Sequence, residues 1–160
     1  MPPDSRQHPS FSLIGVSSRT TNAKEMSGEG VIGPMWQRVM TEGLIDQIPN
    51  RADANIIAMY TDYESDANGE YTFLIGAMVC SLESVPEGMI AKHIEAASYA
   101  VFTSEKGPVW QVVPQVWQKI WATPPSELGG ERSFVADFEI YDERAANPED
   151  AVVEVWVGIK

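Results

Sequence analysis

The sequence predicts an α+β fold made of two βαββ halves, and three observations carry that prediction. Strand-like and helix-like segments occur in the same order twice, a Gly-Pro-x-Trp-Gln motif opens the helical segment of each half, and Asn68-Gly69 marks a hairpin turn between two β-branched, aromatic runs. Each half can cover only one face of its strands with its one helix. The two therefore gain by packing side by side into a continuous antiparallel sheet with a shared central groove. A groove between pseudo-symmetric halves is a natural ligand site.

The elements follow in order. Residues 1–10 hold three prolines and few apolar side chains and read as a flexible tail. Residues 11–18, FSLIGVSS, alternate enough for a first strand, and a Gly- and Ser-bearing loop runs on to residue 30. Val31, Ile32, Met35, Trp36, Val39 and Met40 recur at spacings of three and four, so a helix follows with one apolar face and a break at Gly43. Residues 55–63, NIIAMYTDY, and 71–80, YTFLIGAMVC, form the hairpin around Asn68-Gly69. A short crossover at residues 84–89, with Pro86 and Gly88, marks the middle of the chain.

The pattern then returns. Residues 97–104, ASYAVFTS, are a strand, and Val109, Val112, Val113, Val116, Trp117, Ile120 and Trp121 build a second amphipathic helix that stops before Pro124-Pro125. Residues 134–141, FVADFEIY, and 152–159, VVEVWVGI, close a second hairpin across a polar loop. Gly33-Pro34-Met35-Trp36-Gln37 recurs as Gly107-Pro108-Val109-Trp110-Gln111, at the entrance to each helix, and its place in two matching element orders argues for duplication. The expected organisation is one domain over residues 11–160, with half-repeats at about 11–83 and 90–160.

Composition limits the function classes. Hydrophobic residues make up 44% of the 160 and charged residues 21%, an ordinary globular balance. Eleven basic residues against twenty-three acidic ones give a formal charge of −12, with no basic cluster to follow a phosphate backbone, so direct nucleic-acid binding is not expected. No apolar run reaches the roughly 18 residues of a membrane span, and residues 1–10 lack a signal-peptide core. The expected compartment is the cytoplasm, which agrees with Cys80 as the single cysteine. Its setting, Met78-Val79-Cys80, suggests a buried packing thiol.

Phosphate loops, GxSxG and HExxH motifs are all missing, and His8 and His93 are too far apart in sequence to suggest a metal site, so no cofactor is expected. The aromatic residues are more informative. Five Trp and five Tyr fall mostly inside the expected elements, and their polar tips want partners when buried, so a core built only for packing would use Leu, Ile and Phe instead. Along residues 134–141 the alternation places Phe134, Ala136, Phe138 and Ile140 on one face and Val135, Asp137, Glu139 and Tyr141 on the other. Exposed to solvent, Glu139 is an ordinary surface carboxylate. Lining the groove, it is a desolvated anion among π-faces, suited to an organic cation. Asp62, on the equivalent strand of the first half, is a second candidate.

The duplicated order, the segments SYAVFTSEKG (98–107) and VWQKIWATPPSE (116–127), and above all DFEIYDER (137–144) resemble the gyrase-inhibitor-like small-molecule-binding domain. That is the effector-binding domain of AraC- and MerR-type multidrug regulators, also found as stand-alone proteins that include integron-cassette cationic drug binders. The resemblance implies a tandem of SHS2-like units around a central ligand cavity, with an acidic residue in an FExY-type motif, here Phe138-Glu139-Ile140-Tyr141. It points to Glu139, with Tyr141, Tyr99, Trp110 and Trp117 nearest the ligand and Trp36 and Tyr60 as first-half counterparts. The implied ligand is a small lipophilic cation. Because no helix-turn-helix region is legible, any regulatory role would run through a protein partner that carries a DNA-binding domain. Two alternatives stay open: a hydrolase with Glu139 as general base, and a gyrase-inhibitor-like protein-interaction module.

Overall fold

A computed structural model of the chain describes residues 3–66 and 68–160. Its first half runs β1 (Asp4–His8), β2 (Phe11–Thr20), α1 (Asn22–Ser27), α2 (Ile32–Glu42), β3 (Ile56–Thr61) and β4 (Tyr71–Val79). The second runs β5 (Ile90–Ile94), β6 (Ala97–Thr103), α3 (Val109–Ala122), α4 (Pro125–Leu128), β7 (Arg132–Tyr141) and β8 (Glu154–Ile159). All eight strands form one antiparallel sheet in the order β1-β6-β8-β7-β3-β4-β2-β5, and the halves join at the centre, where Ile57 faces Ile140 and Met59 faces Phe138. The α+β fold with an antiparallel sheet and both hairpins is as the sequence indicates.

Each half also carries a leading strand that the sequence reading left out. β1 pairs with β6 of the other half, from Asp4 opposite Val101 to His8 opposite Ala97, and β5 pairs with β2 in return. Asp4–His8 is therefore an edge strand and not a tail; Met1 and Pro2 lie outside the described residues. His93 sits in β5, beyond the crossover loop. The 19–30 stretch expected as loop contains α1, capped by the Thr21 hydroxyl, which accepts from the Lys24 N–H at 3.1 Å.

These exchanged strands curve the sheet. The links Pro9-Ser10 and Glu95-Ala96 join strands six places apart in the order, about 29 Å in a flat sheet at roughly 4.8 Å per strand. Two residues cannot reach that far, so the sheet curls until its ends meet, and the His8 and Phe11 rings lie 4.7 Å apart. Leu13, Ile57, Met59, Leu74, Tyr99, Phe138 and Trp156 fill the inside of the curl. On the outer face, α2 covers Phe73 and Ala58 through Val39 and Trp36, and α3 covers Phe102 and Val155 through Val116 and Ile120.

Gly15 and Gly76 are register partners in β2 and β4, where the backbones approach closely: a Cβ on Gly15 would lie 2.2 Å from the Ile75 carbonyl oxygen. Gly15→Ala is expected to destabilise the fold by about 2–4 kcal/mol, seen as a lower urea midpoint, because backbone and not a flexible side chain must move. A midpoint equal to wild type would show that the strands can separate freely there.

Cys80 is exposed, contrary to the buried thiol expected from its neighbours. It lies one residue past β4, where its N–H bonds to the Asn50 carbonyl, and alternation turns its side chain away from the buried Val79. No helix among the described residues is long and apolar enough to cross a membrane.

Candidate ligand-binding cleft

A cleft opens between α2 and α3 over the outer face of the sheet. Glu25 fixes the start of α2: its carboxylate accepts from the Val31 N–H at 2.9 Å and the Ile32 N–H at 3.2 Å, completing the first turn. On the other side, α3 carries Pro114 inside the helix, on the cleft wall. The cleft consists of two adjoining hollows of about 380 and 470 Å³ that share Ile32, Tyr60, Val113 and Pro114.

The floor of the cleft carries Glu139, only 1% exposed. One of its carboxylate oxygens, Oε2, accepts from the Tyr60 hydroxyl and the Trp117 indole N–H, each at 2.7 Å; the other, Oε1, accepts from the Tyr141 hydroxyl at 2.5 Å. Sheet register explains the convergence: Ala58 lies opposite Glu139, and Tyr60 and Tyr141 are two residues along on the same face. Tyr60 contacts the Trp117 ring at 5.0 Å, and Trp36 contacts Tyr141 at 4.8 Å, so rings surround the carboxylate. Burial holds the Glu139 carboxyl above the ordinary 4.5, and the bonds from Tyr141, Tyr60 and Trp117 only partly oppose it. Burial, with the nearby Glu139 charge, also pushes Tyr60 and Tyr141 well above the usual phenol value, so both remain donors.

Two residues earlier on β7, Asp137 is equally buried but differently matched. It pairs with the Arg132 guanidinium at 2.6 Å and accepts from the Tyr63 hydroxyl at 2.5 Å and the Gly158 N–H at 2.8 Å. Asp137 therefore has a cation, whereas every group bonded to Glu139 is neutral, and no Lys, Arg or His among the described residues pairs with it. Asp62, the second candidate, is bound by Lys92 at the end of β3, away from this cleft.

The structure brings Glu139, Tyr141, Tyr60 and Trp117 into one cluster and sets Trp36 and Trp110 on the cleft wall, Trp110 at 59% exposure. Tyr99 is not with them: it lies inside the curled sheet, against Phe138 and Trp156. On β6 its neighbours Ala100 and Phe102 take the helix-covered face, and alternation sends Tyr99 to the other. Ile32, Met40, Val113 and Trp121 also line the cleft; the first three stand out in the sequence only as parts of apolar helical stripes, and Trp121 only as one of the helix aromatics.

A concave, ring-lined cleft over a buried carboxylate has the features of a small-molecule site on an α+β scaffold. The chain belongs to the integron-associated effector binding protein family, Cass2, which it matches over residues 6–159. It is 37% identical over 149 residues to the putative transcriptional regulator protein YobU of Bacillus subtilis (strain 168), a match that spans 92% of this chain and 91% of that protein. It is 30% identical over 155 residues to the transcriptional regulator BrlR of Pseudomonas aeruginosa (strain PAO1), spanning 96% of this chain and 53% of BrlR, so it matches about half of that longer protein. Among solved structures, SAV2435 bound to tetraphenylphosphonium shares the fold with a TM-score of 0.80 and 18% identity, over 100% of this chain and 94% of that one.

Proposed function

We propose that the cleft binds lipophilic organic cations and that Glu139 supplies their counter-charge. The observation that carries this reading is a buried carboxylate held by three neutral donors, in a ring-lined cleft, with no cation among the described residues to balance it. A ligand cation in the cleft offsets the desolvation of Glu139 and meets ring faces worth about 0.5–2 kcal/mol each. Both carboxylate oxygens are engaged, which supports a fixed counter-charge over a general base free to take a proton. The tetraphenylphosphonium in SAV2435 is a cation of this kind, and the two proteins share a fold. The regulator names of YobU and BrlR support a further step in which the liganded state is passed to a protein partner with a DNA-binding domain.

Acid reverses this binding. Protonation of Glu139 removes the counter-charge, so tetraphenylphosphonium affinity is expected to fall by up to about tenfold per pH unit below the carboxyl's titration, which lies above 4.5. The contribution of Glu139 to the stability of the unliganded protein has the opposite sign. Its folded-state value is raised, so the folded protein holds the proton more tightly than the unfolded chain, and that contribution improves as pH falls through the window. Tryptophan-fluorescence titrations between pH 7.5 and 5, with Glu139→Gln as control, test the reading. It predicts a pH-dependent affinity in the wild type that the variant lacks; equal and flat affinities in both would contradict it.

A further inference from the structure

Inside the curl, on the side the helices do not cover, a separate hollow of about 530 Å³ opens between the end of β3, the β5–β6 link and the start of β7. Tyr99 lies at its base, 1% exposed. Of the five tyrosines, Tyr60 and Tyr141 donate to Glu139, Tyr63 to Asp137 and Tyr71 to Asn22. Tyr99 is the exception: its hydroxyl bonds no group among the described residues, and the residue lines the hollow. That hydroxyl is not one of the buried atoms left without a partner, so water reaches it, and an acceptor in the hollow takes that water's place.

The surroundings define the acceptor. Lys92 is neutralised by Asp62 at 2.6 Å, and the Glu95 carboxylate stands at the outer rim, 87% exposed and 3.4 Å from the His93 ring. The walls between them are apolar, from Ile94, Phe134, Ile159 and the exposed Val135. Asp62 and Phe134 hold the rim in the left-handed region at φ 50° and 52°, a conformation costing about 1–2 kcal/mol for a side-chain-bearing residue. Gly158 keeps the wall thin, since a Cβ there would lie 2.7 Å from the Ser133 hydroxyl.

We propose that this hollow is a second ligand site, distinct from the cation cleft, which takes neutral carbonyl compounds with an apolar body, the carbonyl oxygen accepting from the Tyr99 hydroxyl. Burial and the Asp137 charge push the Tyr99 phenol up to about 12, so it stays a donor throughout the physiological range.

The test is a ¹H–¹⁵N NMR titration of the full chain with acetanilide, a neutral amide, and with ethylbenzene, which lacks the acceptor. Saturable shifts at residues 95–97 and 133–136 are expected with acetanilide, together with weaker binding of ethylbenzene. Tyr99→Phe removes only a hydroxyl that bonds no group among the described residues, and should weaken acetanilide about three- to tenfold without loss of folding. Val135→Lys, at the exposed rim, should weaken it too, and Glu139→Gln should not. The proposal is overturned if acetanilide gives no saturable shifts at these residues up to its solubility limit, or if Tyr99→Phe binds it as tightly as wild type.

Discussion

Replacing Glu139 with glutamine is expected to weaken tetraphenylphosphonium binding by about 30-fold or more, because losing one partner of a buried charge pair costs about 2–5 kcal/mol. The fold should be as stable as wild type or more so. A glutamine carbonyl in the place of Oε2 can accept from both Tyr60 and Trp117, and its amide can donate to a Tyr141 hydroxyl turned to receive it. The desolvated charge is gone, while the hydrogen bonds are kept. Fluorescence titration and urea unfolding measured side by side separate the two effects. A variant that loses both stability and binding would mean that the carboxylate mainly holds the fold together.

Two residues away, Asp137→Ala should behave in the opposite way, lowering stability by about 3–5 kcal/mol. It strands the Arg132 guanidinium, whose side chain is only 14% exposed, without a counter-charge, and leaves the Tyr63 hydroxyl and Gly158 N–H without an acceptor. Urea unfolding measures it, and a loss under about 1 kcal/mol would show that Arg132 finds water or another acceptor. The contrast between the two carboxylates separates a charge matched by Arg132 from one bonded only to neutral donors.

Much of this was legible from local pattern. Alternation along 134–141 put Asp137, Glu139 and Tyr141 on one face, and the repeated Gly-Pro-x-Trp-Gln motif placed Trp36 and Trp110 at corresponding helix starts, on the two helices that flank the cleft. What pattern could not show depends on pairing between distant strands. DSRQH in β1 is short and polar, IAKHI in β5 is short and interrupted by Lys92 and His93, and both become strands because an edge in the other half accepts them. Tyr99 alternates correctly within its strand, but only the placement of α3 decides which face the helices cover, and so which side Tyr99 takes. Arg132 falls before the strand as read from sequence, which hid the cation that separates Asp137 from Glu139.

The most direct test of the central claim is isothermal titration of the wild-type protein with tetraphenylphosphonium and with triphenylphosphine oxide, a neutral molecule of similar shape. If the unpaired carboxylate selects the ligand, the cation binds at least about tenfold more tightly, because its charge meets Glu139 and the surrounding rings in a desolvated site. Equal affinities for the two would contradict it, leaving an apolar cleft in which the buried carboxylate plays no part in recognition.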